Sequence, residues 1–216
     1  MAEYIKPDYG SVALITIDAQ QDTLDGMPFE IPGTTAILPQ IRRLLDLFRF
    51  NSKAIAHIVR IYKKDGSNAD ICRRGMIENG ERLLLEGSSG CELAQDLFEE
   101  TTPLDTGLLL SGGIQKISKS EVVIYKPRWG AFFKTPLEKY LSELGVSTLI
   151  FTGCNFPNCP RTSIYEASER DFRIVMVSDA VSGVYEKGLG EMRGIGVEVV
   201  ETDLLVANLK KEWGLS

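Results

Sequence analysis

Histidine is almost absent from this chain, which holds a single one, His57, in 216 residues. An imidazole-built metal centre therefore has no ligand set. The four cysteines, Cys72, Cys91, Cys154 and Cys159, also lack the paired short spacings of thiolate zinc sites. No metal and no other cofactor is expected. No apolar run approaches the ~20 residues of a membrane span, and the N-terminal MAEYIKPDYGS lacks the basic-then-apolar layout of a signal peptide. No membrane partner is expected, and the expected location is the cytoplasm, where thiols stay reduced and need not pair. Excess positive charge is missing too. With 24 Lys+Arg against 30 Asp+Glu, a net charge of −6 and a pI near 5.0, there is no electrostatic footprint for nucleic acid, so the expected partner is a small molecule.

What is present is the composition of an ordinary globular protein, 44% hydrophobic and 25% charged. That length buries a substantial core without disulfides or a metal. Neither an internal repeat nor a linker interrupts it, so residues 1–216 are expected to form one α/β domain. Ser11 to Asp18, SVALITID, is a continuous apolar run ending in a carboxylate, the pattern of a central parallel strand buried on both faces. Asp18 then lies at a strand's C-terminal end, the edge where open α/β sheets bind ligands. The bland reading is an aspartate capping its own loop. Thr35 to Phe50 carries Ile37, Leu38, Ile41, Leu44, Leu45 and Phe48 at helical spacing. Ala54 to Ile61 reads as a second buried strand with His57 as a hydrogen-bonded core residue. Glu121 to Tyr125, Thr148 to Thr152, Arg173 to Ser178 and Glu198 to Thr202 read as further strands, and Leu204 to Trp213 as a closing helix. Cys91 to Phe98 reads as a short helix, and a Thr135-Pro136 pair starts another that Gly145 stops. Alternating strands and helices imply a parallel sheet between helix layers.

The long, polar, glycine-rich segment from Tyr62 to Gly90 is either a functional lid or a solvated excursion. Within it, Asp70, Arg73 and Arg74 suit a short helix with charges at a pocket mouth, the arginines as bidentate carboxylate binders or as ordinary surface charges. Lys126 follows the strand at Glu121 to Tyr125 as Asp18 follows its own strand. Arg128, Trp129, Phe132 and Phe133 crowd the same edge, as packing or as a dry pocket wall.

Leu149 to Phe172, LIFTGCNFPNCPRTSIYEASERDF, reads as a buried strand, a Pro-flanked turn and a helix with Cys159 as N-cap and Pro160 as first residue. A thiol there faces unpaired N–H groups and the positive end of the helix dipole. Such sites lower a cysteine pKa from ~8.5 to roughly 3.5–7.5 when a cation helps. A buried structural cysteine beside a cap fits the turn equally well. Three strand ends nevertheless bring an acid, an amine and a thiol to one sheet edge. A thiolate attacks a carbonyl carbon, the ammonium favours that thiolate, and the carboxylate carries the proton to a leaving amine.

Three stretches, ITIDAQQD, VVIYKPRWGAFFKTPLEKYL and TGCNFPNCPRTSIYEASERDFRIVMVSDAVSG, together resemble the isochorismatase-like superfamily of cysteine hydrolases. The resemblance implies a three-layer α/β/α sandwich around a six-stranded parallel sheet, assembled as homodimers or homotetramers. It implies Asp18, Lys126 and Cys159 as a triad, and a cis Cys154–Asn155 peptide that turns the Asn155 N–H towards that of Cys159 as an oxyanion hole. Gln20, Arg73, Arg128, Trp129 and Phe156 are the expected substrate-binding residues. Nicotinamidases of the superfamily carry a histidine metal site that one histidine cannot build, and isochorismatases proper lack the cysteine. What remains is hydrolysis of a small amide or a carbamoyl or ureido compound. The alternatives are a catalytically silent binding or regulatory protein and a thiol redox protein using Cys154 and Cys159, whose five-position separation is not C-x-x-C. If the chain is such a hydrolase, activity should survive prolonged chelation. A loss on EDTA that zinc or manganese restores would contradict this reading.

Overall fold

The computed structural model describes residues 3–215. Val12–Ile17 forms β1, with all six residues buried, as a continuous apolar run inside a parallel sheet should be. Thr34–Phe50 is α1, and its buried face is the stripe from Ile37 to Phe48 that the spacing predicts. Ala54–Val59 is β2, Ile71–Glu78 α2, Thr106–Leu110 α3, Ile114–Lys116 β3 and Glu121–Tyr125 β4. Leu137–Glu143 is α4, Thr148–Gly153 β5, Cys159–Ser168 α5, Arg173–Val181 β6, Glu186–Gly194 α6, Glu198–Val200 β7 and Thr202–Trp213 α7.

The strands form one sheet in the order β3-β4-β2-β1-β5-β6-β7. Every neighbouring pair is parallel except β3 with β4. The sheet thus has seven strands where six are expected. The additional one, β3, is an antiparallel edge of three residues, too short to show a period-2 pattern. Alternation along β1 divides the core. Ala13, Ile15 and Ile17 pack on one face with side chains of α4, α5 and α6, including Leu137, Ile164 and Met192. Val12 and Leu14 pack on the other with α1 and with Leu205 and Leu209 of α7. This is the three-layer α/β/α arrangement, with β1 at the middle of the sheet.

Several boundaries differ from the sequence reading. The expected helix over Cys91 to Phe98 is instead two single 3-10 turns, Ser89–Cys91 and Gln95–Leu97. The helix expected from Thr135 begins at Leu137, although the Thr135 hydroxyl still accepts the Leu137 N–H at 3.4 Å. Cys159 is the first helical residue rather than the cap, a position that Asn158 takes. The sequence reading contained no α6, because its three glycines weaken a helical pattern. Gly188 has a packing reason: a Cβ there would lie 2.4 Å from the Phe156 ring.

His57 is a core residue as expected, fully buried, with Nδ1 2.8 Å from Thr16 Oγ1 and Nε2 2.8 Å from Glu121 Oε1. Arg49 holds the same carboxylate through two N–H groups, at 3.0 and 2.7 Å. Burial opposes ionisation of Glu121, but the hydrogen bonds and charges of His57 and Arg49 prevail and bring its pKa to about 2. Burial lowers that of His57. Both groups therefore take up protons more readily in the unfolded chain, so both stabilise the fold at neutral pH and lose that contribution in acid. The histidine's share declines below about pH 6.5, and the glutamate's, on the order of 3 kcal/mol, between about pH 4.5 and 2. Urea unfolding followed from pH 7 downwards should show this acid limb, and Glu121→Gln should lower neutral stability while flattening it. A urea midpoint independent of pH over that range would contradict the assignment.

Candidate active site

Backbone pairing sets the three strand-end residues in place. The Asp18 N–H donates to Ile58 O, the Lys126 N–H to Val59 O and the Cys154 N–H to Ile17 O, each at 2.9 Å. Each bond continues the parallel ladder one step past a strand end. Asp18, Lys126 and the turn to Cys159 thus emerge together from β1, β4 and β5 at one edge. Asp18 has a left-handed φ of 50°, and its carbonyl accepts the Thr23 hydroxyl, the Gln20 N–H and the Cys154 thiol. Gly153, at φ 112°, is required by close approach, since a Cβ there would lie 2.0 Å from Ile17 O.

The ammonium of Lys126 is the centre of the cluster. Its Nζ lies 2.8 Å from Asp18 Oδ2, 3.3 Å from Cys159 Sγ and 3.4 Å from Arg128 O, which accounts for its three donors. Lys126 is 1% and Asp18 5% exposed. The other carboxylate oxygen, Asp18 Oδ1, is buried without a hydrogen-bond partner among the described residues. Burial opposes the charge on Lys126, but Asp18 and the Cys159 sulfur outweigh it and its pKa rises. The thiol behaves contrary to the sequence expectation. Burial, then the Asp18 carboxylate, push Cys159 up to about 12, and Lys126 recovers only part of that. In a dry site whose acid and amine already neutralise each other, a thiolate would add an uncompensated charge. The resting sulfur is therefore a neutral thiol.

These residues line a cavity of about 40 Å³, together with Arg60, Asp70, Arg73 and Trp129. Its wall carries a second buried ion pair, Arg60 Nη2 to Asp70 Oδ1 at 2.7 Å. Tyr62 donates its hydroxyl to Asp70 Oδ1, and Trp129 Nε1 donates to Oδ2 at 3.3 Å. Burial opposes both charges of the pair, yet its mutual attraction lowers the pKa of Asp70, and the charges around Arg60 raise that of the guanidinium. Arg60 also donates to Lys126 O at 3.2 Å. Arg60 is hidden in the sequence because the apolar run of the second strand continues to Ile61. β2 ends at Val59, so Arg60 occupies the same strand-end position as Asp18 and Lys126. Tyr62, Asp70, Arg73 and Leu84 come from the 62–90 segment, which therefore covers the site.

Not every expected substrate residue reaches the cavity. Trp129 and Arg73 line it, as does Asn155, and the Cys154–Asn155 peptide is cis. Gln20 does not. Its amide is fully buried, donating to Arg60 O and Cys91 O and accepting the Arg60 N–H, so it ties β2 to the covering loop. Phe156 is also buried, packed in the core under α5 and α6. Arg128 turns to the carbonyls of Asn68 and Pro127, and Arg74 is exposed and does not line the cavity. Among the described residues, no group of three His, Cys, Asp or Glu side chains is arranged to hold a metal ion. Nor is any helix long and apolar enough to cross a membrane.

Comparison with known proteins agrees with this fold. The family model described as Isochorismatase domain matches residues 12–203. A protein of Arabidopsis thaliana named "Probable inactive nicotinamidase" is 26% identical over 87% of this chain and 91% of its own. An N-carbamoylsarcosine amidase from an Arthrobacter species is 26% identical, over 91% of this chain and 70% of its own. The crystal structure of an isochorismatase family protein from Desulfovibrio vulgaris superposes with a TM-score of 0.78 at 31% identity, covering 92% of this chain and 98% of that one.

The thiol's environment sets its reactivity. In ligand-free protein at neutral pH, iodoacetamide should label exposed Cys72 before Cys159, and the Cys159 rate should keep rising with pH beyond about 9. A rate plateau at roughly pH 5–8 would indicate a resting thiolate and contradict the neutral one.

Proposed function

Because this chain belongs to the isochorismatase family, we propose that it is a cysteine-dependent hydrolase cleaving the C–N bond of a small amide, carbamoyl or ureido compound. The observation that carries the reading is the buried bridge of Lys126 Nζ between Asp18 Oδ2 and Cys159 Sγ. In the first half-reaction Asp18 takes the Cys159 proton as the sulfur attacks the carbonyl carbon. The N–H groups of Asn155 and Cys159 receive the developing oxyanion, a form of stabilisation that acts strongly in a water-poor site. The C–N bond breaks, and Asp18 passes its proton to the departing ammonia or amine. A thioester or S-carbamoyl group remains on Cys159. In the second half, Asp18 takes a proton from water, the hydroxide adds, the C–S bond breaks and the sulfur is reprotonated. Lys126 stays positively charged throughout, compensating the thiolate that exists only during attack.

The raised resting pKa of Cys159 suits this scheme, because the proton leaves as the new bond forms and not before. Asp18 Oδ1, buried and without a hydrogen-bond partner among the described residues, suits the role of acceptor. In this reading the protein works in the cytoplasm as a homodimer or homotetramer, without metal or cofactor, and its thiols stay free.

Cys159→Ala should abolish turnover of amide and ureido substrates while leaving the fold intact. Asp18→Asn should lower kcat roughly 10²- to 10⁴-fold at every pH rather than shift the profile. Quenched reactions analysed by intact mass should show the acyl or carbamoyl adduct on the Cys159 peptide alone. Near-normal activity in Cys159→Ala would refute the assignment.

A further inference from the structure

We infer that the substrate carries a carboxylate besides its scissile group, and that Arg73 binds it. The inference rests on the hydrolase reading but is carried by different residues. The charged groups lining the cavity are Asp18, Asp70, Lys126, Arg60 and Arg73. Lys126 neutralises Asp18 at 2.8 Å, and Arg60 neutralises Asp70 at 2.7 Å. With Cys159 as a neutral thiol, one positive charge remains over, that of Arg73. It stands in a chain whose net charge is −6, so this local sign is opposite to that of the whole molecule.

Arg73 is half-buried, and no carboxylate among the described residues forms an ion pair with it. Its guanidinium lies over the Phe29 ring at 4.6 Å and touches Met76 Sδ at 3.9 Å. Those contacts fix the plane of the group without neutralising it, and a thioether is a weak acceptor. The fork is thus held ready for an anion from outside the chain. The other arginines near the site are engaged or turned away. Arg60 serves Asp70 and the Lys126 carbonyl, Arg128 the Asn68 and Pro127 carbonyls, and Arg74 does not line the cavity. A planar carboxylate matches the guanidinium bidentately. Cys159, Lys126 and Arg73 line the same cavity. The anion is therefore linked to the scissile amide or carbamoyl group by a short spacer.

The test compares N-carbamoylglycine and succinamic acid with their methyl esters, which remove the charge and keep the scissile group. Wild-type enzyme should prefer each acid to its ester in kcat/KM. Arg73→Gln should raise KM for the acids roughly 10- to 100-fold, the effect of one charged hydrogen bond, with little change in kcat and none for the esters. Arg73→Lys should restore part of the affinity, since it keeps the charge and loses the fork. Calorimetry on Cys159→Ala protein should show the acids binding more tightly than the esters. Equal handling of acids and esters, an equal loss for both in Arg73→Gln, binding of neither acid, or stronger inhibition by inorganic phosphate than by acetate would overturn the inference. Failure of the underlying reading has a different signature. Cys159→Ala would retain activity, or the acids would bind through Arg73 and not be hydrolysed.

Discussion

The ion pair between Lys126 and Asp18 joins β4 to β1 across the end of β2, in surroundings from which water is nearly excluded. Two such charges cost several kcal/mol each to bury, and close mutual contact is what offsets that cost. The pair also governs the sulfur. Burial and the Asp18 carboxylate push the Cys159 thiol up by more than Lys126 pulls it down, so the pair does not ionise the sulfur. The expected low-pKa cysteine at a helix N-terminus is overridden by desolvation, the first-ranked influence on this thiol. A second buried pair, Arg60 with Asp70, holds the wall and reaches the Lys126 carbonyl. The two pairs thus support one another through the backbone of the lysine.

That Asp18, Lys126 and the turn to Cys159 meet at one edge was legible in the sequence, because central parallel strands are uninterrupted apolar runs and what directly follows one can be placed at the ligand edge of the sheet. The same rule points to Arg60, but the apolar residue after it, Ile61, made the strand look longer than its hydrogen bonding. β3 and α6 were hidden for other reasons. Three residues do not establish a period, and glycines at 188, 190 and 194 argue against a helix that tertiary packing nonetheless imposes. Gln20, Phe156 and Arg128 stand near the triad in sequence, yet their partners lie in the loop, the core and the surface. Proximity along a chain does not say which way a side chain turns.

The enclosure of the site comes from connections rather than from the sheet. Tyr62, Asp70, Arg73 and Leu84 belong to the long segment after β2, and Phe29 and Ile31 to the loop after β1. Asp22 links the two by accepting the Leu84 N–H at 2.7 Å, and Gly90 leaves room for that carboxylate, since a Cβ there would sit 2.1 Å from it. Asp18, Arg60 and Lys126 therefore stand at strand ends, while Arg73 and much of the remaining cavity wall stand on connecting segments tied to one another.

α2 contains no buried residue, although it carries Arg73 to the cavity. Its contacts are local: Met76 and Ile77 pack against Tyr62, Ala69, Leu83 and Leu84 of the covering segment, so the sheet and the two main core layers do not depend on its side chains. A substitution on this helix would therefore change the mouth of the cavity without disturbing the strand ends beneath it.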